Sequence, residues 1–151
     1  MWRQFKYHKF EWKFEKVKIT DSFQDAVDFD YSEINLENVE ILNAGNDCFD
    51  LSGGKYLIKN GSFKNCSDKA ISIGEKSTLK AHLINIDNSN IGVAVKDSSK
   101  FQNKVIDLKN TQICVQIFQK KQEFGGGNVD VKDINCKGNN QVDKNSVIFY
   151  R

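Results

Sequence analysis

Short runs of alternating apolar and polar residues recur along this chain at a fixed step. Gln24-Asp25-Ala26-Val27-Asp28-Phe29 aligns with Asn46-Asp47-Cys48-Phe49-Asp50-Leu51 and with Asp68-Lys69-Ala70-Ile71-Ser72-Ile73. Asn90-Ile91-Gly92-Val93-Ala94-Val95 and Gln112-Ile113-Cys114-Val115-Gln116-Ile117 continue the series, each block starting 22 residues after the one before. Val27, Phe49, Ile71, Val93 and Val115 form one apolar column, and Phe29, Leu51, Ile73, Val95 and Ile117 form a second. Between them runs a mostly polar column of Asp28, Asp50, Ser72, Ala94 and Gln116. Period-two alternation is the mark of a strand with one buried face. Small residues (Ala26, Cys48, Ala70, Gly92, Cys114) precede each apolar pair, where a tight bend would bring coils close.

A second strand in each repeat ends in the pattern apolar-x-Asn: Ile41-Leu42-Asn43, Phe63-Lys64-Asn65, Ile86-Asp87-Asn88 and Leu108-Lys109-Asn110. Asn tolerates left-handed φ, bonds turn backbone, and can pair with an Asn stacked above it. Ile134-Asn135-Cys136 repeats the pattern with Cys in the last place. Backward, Phe5 and Tyr7 precede Val27 and Phe29 by the same step, as Phe14, Val17 and Ile19 precede Leu36, Val39 and Ile41. Internal repetition at this period means a solenoid. A helical solenoid fails on the period-two alternation, and leucine-rich repeats fail because Leu-x-x-Leu-x-Leu is absent. The expected fold is all-β, a right-handed parallel β-helix with coils of about 22 residues.

Residues 1–151 read as a single β-helix domain cut from a longer protein, because both termini lie inside repeat-like sequence without a capping helix. The period breaks after Ile117, so residues 119–128 read as a projecting loop; Val129-Asp130-Val131 resumes a strand and Val147-Ile148-Phe149 forms a last rung. The ends would stack on neighbouring domains or protomers.

Composition agrees with a narrow core and many turns: 39% hydrophobic residues, 11 Phe and no Pro. Proline's absence suits a chain whose N–H groups nearly all join ladders. A net charge of +2 argues against nucleic acid as partner. The basic, aromatic-rich stretch over the first eighteen residues is interrupted by Glu11 and Glu15, which favours an ordinary alternating strand over a polyanion-binding strip. No run approaches the roughly 18 apolar residues of a membrane span, and the N-terminus lacks the apolar core of a signal peptide.

Four cysteines raise the question of disulfides. Cys48 and Cys114 share a column three coils apart, roughly 14 Å at about 4.8 Å per coil, which is beyond bridging distance. Cys66 and Cys136 fall at turns on different coils, so the expectation is four small, partly buried thiols. Neither Cys-x-x-Cys nor a Cys/His cluster points to zinc.

The blocks at 46–51, 68–77 and 90–97 resemble the pectate-lyase-like superfamily of right-handed β-helices, over most of residues 20–135. The nearest likeness is to β-helix regions of bacterial surface proteins that accompany CotH-type (spore-coat-kinase-like) domains, where a segment like Lys120-Lys121-Gln122-Glu123-Phe124-Gly125 is familiar. This resemblance implies an extracellular or cell-surface location. Polygalacturonases share the register and give a sharper comparison. Asp25 matches the Asp of their Asn-Thr-Asp motif and Asp47 the second residue of their Asp-Asp pair. Asn46 replaces the first residue of that pair, the family's general acid; Lys69 stands at the His position and Ala94 at the Arg position, while Lys96 matches the motif's Lys. Asn has no proton to give a leaving oxygen, and glycoside hydrolysis needs a proton donor beside a second carboxylate.

Two readings of function follow. The first is a non-catalytic module, structural or in contact with polysaccharide or a protein partner. The second is a carbohydrate-active enzyme, a hydrolase or lyase, using Asp25, Asp28, Asp47, Asp50 and Lys96 as catalytic residues. Stacked carboxylates one coil apart repel and raise a pKa; calcium at Asp25, Asp28, Asp47 and Asp50 would relieve this. The plainer expectation is neutralisation by Lys6 and Lys69. Calcium-dependent β-elimination would also require a positioned basic residue, which the sequence does not make evident. His8 and His82 occur singly and read as surface or structural residues, and Asn60-Gly61-Ser62 matches a glycosylation sequon.

Overall fold

A computed structural model describes residues 11–151, and these residues form strands and turns only. In chain order the strands are β1 (Trp12–Ser22), β2 (Val27–Asp30), β3 (Glu33–Ala44), β4 (Phe49–Ser52) and β5 (Lys55–Gly74). They continue with β6 (Thr78–Lys96), β7 (Lys100–Phe118), β8 (Asn128–Cys136), β9 (Asn139–Val142) and β10 (Val147–Tyr150). Every pairing is parallel, in the order β1-β3-β5-β6-β7-β8-β10, with β2 on β4, β4 on β5 and β9 on β7. The chain is a parallel β-solenoid with coils of about 22 residues, as the repeat requires. No helix among the described residues is long and apolar enough to cross a membrane.

The columns stack in register. Val27, Phe49, Ile71, Val93 and Val115 pair in succession, as do Phe29, Leu51, Ile73, Val95 and Ile117. Their side chains fill the inside of the coil with those of Leu36, Ile58, Phe63, Leu79 and Phe101. Aromatic rings meet edge-on there, Phe29 against Phe49 with centroids 5.8 Å apart and Phe49 tilted against Phe63 at 5.9 Å. The step is not uniform. β5 pairs with β6 at a 23-residue offset from Lys55↔Thr78 to Cys66↔Ser89, and returns to 22 at Lys69↔Ile91 through a bulge. The extra residue enters at the turn after Gly74 and is absorbed at the next corner, which leaves the apolar columns aligned.

Asparagines mark one corner, as expected. Asp21, Asn43, Asn65, Asn88 and Asn110 all hold positive φ, between 50° and 64°. Asn43 Nδ2 donates to Asp21 Oδ1 (2.7 Å), Asn65 Nδ2 to Asn43 Oδ1 (2.8 Å) and Asn88 Nδ2 to Asn65 Oδ1 (2.9 Å). Asn110 breaks the line by donating to Asp87 Oδ1 at 2.8 Å.

The cysteine expectation is overturned. Cys48 is bonded to Cys66 and Cys114 to Cys136, with Cα–Cα distances of 5.4 and 6.2 Å, and no cysteine is free. Residues of one column lie along the axis, whereas these bonds cross a corner. Cys66 stacks on Ala44, only four residues before Cys48, and Cys136 stacks on Leu108, six before Cys114. The bend therefore brings the end of one strand against the start of the next.

Residues 119–127 join β7 to β8 and are tied back to earlier turns. Asp97 Oδ1 accepts the Lys120 and Lys121 N–H groups at 2.7 and 2.8 Å, Gly125 N–H donates to Ser98 Oγ at 2.7 Å, and Lys121 pairs with Glu75. The expected pairings of Phe5 and Tyr7, and the residues Lys6 and His8, lie outside the described residues.

Candidate functional site

The sheet face that carries Asp28 and Asp50 meets a corner bearing Asp25 and Asp47. At that corner the acids bond to backbone one coil on. Asp25 Oδ1 accepts the Asp47 N–H at 2.9 Å and Asn46 Nδ2 at 2.7 Å; Asp47 Oδ1 accepts the Lys69 N–H at 3.0 Å. Asp47 is only 4% exposed. Burial pushes its carboxyl above the usual range, against the Lys69 ammonium and backbone bond, which pull it down. Lys69 Nζ lies 3.5 Å from Asp47 Oδ1 and 2.5 Å from Asp68 Oδ2. Neutralisation by Lys69 is thus present, one coil below Asp47.

Carboxylate oxygens of Asp25, Asp47 and Asp50 all lie within 4.8 Å of one another. Asp28, stacked directly on Asp50, is not among these three. Its own carboxyl is raised by partial burial and by Asp30, Asp50 and Asp25. Asp50 Oδ1 is buried and has no hydrogen-bond partner among the described residues.

Lys96 reaches the same face because Gly74 lacks a side chain. Gly74 and Lys96 occupy one column, and a Cβ on Gly74 would stand 2.9 Å from Lys96 Cε. The lysine lies back across the glycine and donates to Ser72 Oγ at 3.1 Å. Burial holds its ammonium below the usual lysine range, with Asp50 opposing the shift. Ser72 and Ala94, placed by alternation on the outer face, are themselves fully buried. His82 is exposed on β6 with no acid paired to it among the described residues.

Three convergent carboxylates fit a hard divalent cation in ligand type. Their arrangement fits it less well in charge, since the Lys69 ammonium already occupies the edge of the cluster and Asp25 and Asp47 each commit an oxygen to backbone. A proton donor and water-activating base for glycoside cleavage would have to come from Asp25, Asp28, Asp47 and Asp50, with Lys96 as the adjacent cation.

A second feature was not read from the sequence. The turn from β2 to β3, with the equivalent turns of the next two coils, forms a groove of about 690 Å³ lined by Trp12, Tyr31, Glu33, Lys55, Glu75 and Lys76. Tyr31 stands 76% exposed in left-handed conformation, φ 46°, unusual for a bulky residue. Its ring lies over Gly53, whose added Cβ would come within 2.4 Å of Tyr31 Cε1. Its hydroxyl donates to Glu75 Oε2 at 2.9 Å, and this bond raises the phenol above its ordinary value. Glu75, also bonded to Lys121, is held below the usual carboxylate range by these two donors. The Gly53-Gly54 pair, one repeat after Tyr31, was the available signal.

Comparison with protein-family models, curated proteins and solved structures finds no match for this chain.

Proposed function

We propose that this chain is a non-catalytic β-helix module of an extracellular or cell-surface protein, a rigid support that contacts polysaccharide. The observation that carries the reading is the fixed tyrosine. An aromatic ring kept exposed, backed by a glycine and tethered through its hydroxyl, offers a flat face to a sugar ring at little entropic cost. Around it Trp12, Glu75 and Lys76 supply a second apolar surface and hydrogen-bonding groups suited to hydroxyls. Two disulfides with no free thiol accord with an oxidising location. Membership of the pectate-lyase-like superfamily, and kinship with CotH-type surface proteins, are part of the same proposal and rest on the motif resemblance alone.

A panel of neutral glycans tested against the purified chain should reveal binding that Tyr31→Ala weakens at least tenfold, about 1.4 kcal/mol. Absence of any glycan binding, alongside clear capture of a protein partner, would refute the polysaccharide reading.

Convergence of Asp25, Asp47 and Asp50 beside a depressed lysine motivates a second reading, a carbohydrate-active enzyme. Any polysaccharide cleavage, with or without calcium, should then vanish in Asp25→Asn plus Asp47→Asn. Undiminished turnover in that variant rejects it.

A further inference from the structure

Beyond the groove, the outer face of the sheet built from β5, β6, β7 and β8 carries a concentration of positive charge that the near-neutral composition conceals. Pairs flanking them in register (Ile58↔Ala81, Ala81↔Asn103, Asn103↔Val131) align Lys59, His82, Lys104 and Lys132 in a single outward column, one per coil. Lys80 lies in the adjacent outward column and Lys100 in the one beyond it. All six side chains are exposed. Coils are about 4.8 Å apart and alternate residues along a strand about 6.6 Å, so neighbouring ammonium groups share one field.

Two of the acids around this face are already engaged. Glu37 pairs with Lys59 at 3.0 Å and Asp130 with Arg151 at 2.5 Å. Lys80, Lys100, Lys104 and Lys132 have no acidic partner among the described residues. A shallow groove of about 490 Å³ lies between Lys80, Lys104 and Lys132, floored by Ala81 and Asn103.

We propose that this face is a binding surface for a linear anionic glycan, lying along the coil axis with its sulfate or carboxylate groups on the lysine column. Lys80, Lys104 and Lys132 give one unpaired cation on each of three successive coils, which suits a chain bearing about one acid per sugar, because a pyranose unit is close in length to the coil step of about 4.8 Å. Lysines act here as mobile point charges rather than planar forks, which favours charge matching over a single fixed geometry. Single-stranded nucleic acid fits worse, since its successive bases call for a series of aromatic platforms and this face offers one exposed ring, Phe149, at the far end of the Lys80 column. The surface is separate from the Tyr31 groove and does not depend on what binds there.

The test measures binding of dextran sulfate, polygalacturonate, unmodified dextran, oligo-dT and duplex DNA to the full chain. Dextran sulfate or polygalacturonate should bind, weakening steadily with added salt, and either arm identifies the acid preferred. Lys80→Glu, Lys104→Glu, Lys132→Glu together should lose about thirtyfold or more in affinity. Lys16→Glu, Lys64→Glu, Lys109→Glu, an equal change of net charge on other parts of the surface, should lose less than about threefold. Should the first variant fail to fold, the same three positions changed to Gln still predict a loss, about tenfold. Equal losses in the two glutamate variants, retained binding in the first, no binding to either acidic glycan at low salt, or tighter binding to either nucleic acid would each overturn the proposal. Tyr31→Ala should leave acidic-glycan binding unchanged, so a failure of the groove reading and a failure of this one are told apart.

Discussion

Two stacks of polar side chains run down opposite sides of one corner, and they solve the same problem in different ways. On one side Asn88 donates to Asn65 and Asn65 to Asn43, amide to amide along the axis, and Asn43 ends the line on the Asp21 carboxylate. An amide both donates and accepts, so each member satisfies the next without outside help. On the other side Asp25 and Asp47 are acceptors only. They turn to backbone N–H groups one coil on, and Asp47 also draws the Lys69 ammonium. The Cys48–Cys66 bond joins the two stacks, since Cys48 follows Asp47 and Cys66 follows Asn65. A neutral stack is self-sufficient structure, whereas an acidic one leaves residual charge and is where a ligand or ion finds something to recognise.

The sharpest way to break this comparison is to cut the link. Cys48→Ser with Cys66→Ser should cost about 3 kcal/mol of unfolding free energy, from the freedom restored to a short closed loop. Urea unfolding under oxidising conditions reads this directly. Next comes the neutral stack. Asn65→Ala removes two ladder bonds and strains a residue at φ 56°; a loss of about 2 kcal/mol is expected, with Asn65→Gly recovering part of it. Asp47→Asn keeps an oxygen for the Lys69 N–H and sheds a disfavoured charge, so it should cost under about 1 kcal/mol. Equal losses at Asn65→Ala and Asp47→Asn would erase the distinction between the stacks.

The smallest effect concerns pH. Asp28 and Asp47 both have carboxyls raised above the ordinary aspartate value of 3.8. An acid with a raised folded pKa holds its proton more tightly folded than unfolded, so its contribution is fully favourable below 3.8 and is lost as pH rises through the folded value. The stability difference between wild type and Asp28→Asn should therefore move in the variant's favour across that window. Thermal melts at a series of pH values would show it, and a flat difference would contradict the assigned repulsion.

Much of this architecture was legible because solenoid columns are one-dimensional. Val27, Phe49 and Ile71 announce their stacking by spacing alone, and the Asn corner follows from its own repeat. Contacts across a corner were not legible, because they depend on how sharply the chain turns. That is why Cys48 was compared with Cys114 instead of Cys66. The 23-residue step between β5 and β6 escaped notice because blocks on either side of the bulge keep their 22-residue spacing. In the candidate site the sequence named Asp25, Asp47, Asp50 and Lys96. It could not say that Asp28 stands outside the cluster, nor that Gly74 lets Lys96 lie inward. The Tyr31 groove needed the backbone, since positive φ at a tyrosine leaves no trace in composition.

The second disulfide has a consequence for wear. Residues 119–127, with Lys120, Gln122 and Glu123 exposed, form the longest irregular stretch among the described residues and so offer a protease a target. They lie inside the ring closed by Cys114 and Cys136. A single cut there would yield two polypeptides that migrate apart only after reduction. Nicked molecules would keep β8 docked on β7, so the rod could lose a peptide bond in service without shedding its last coils.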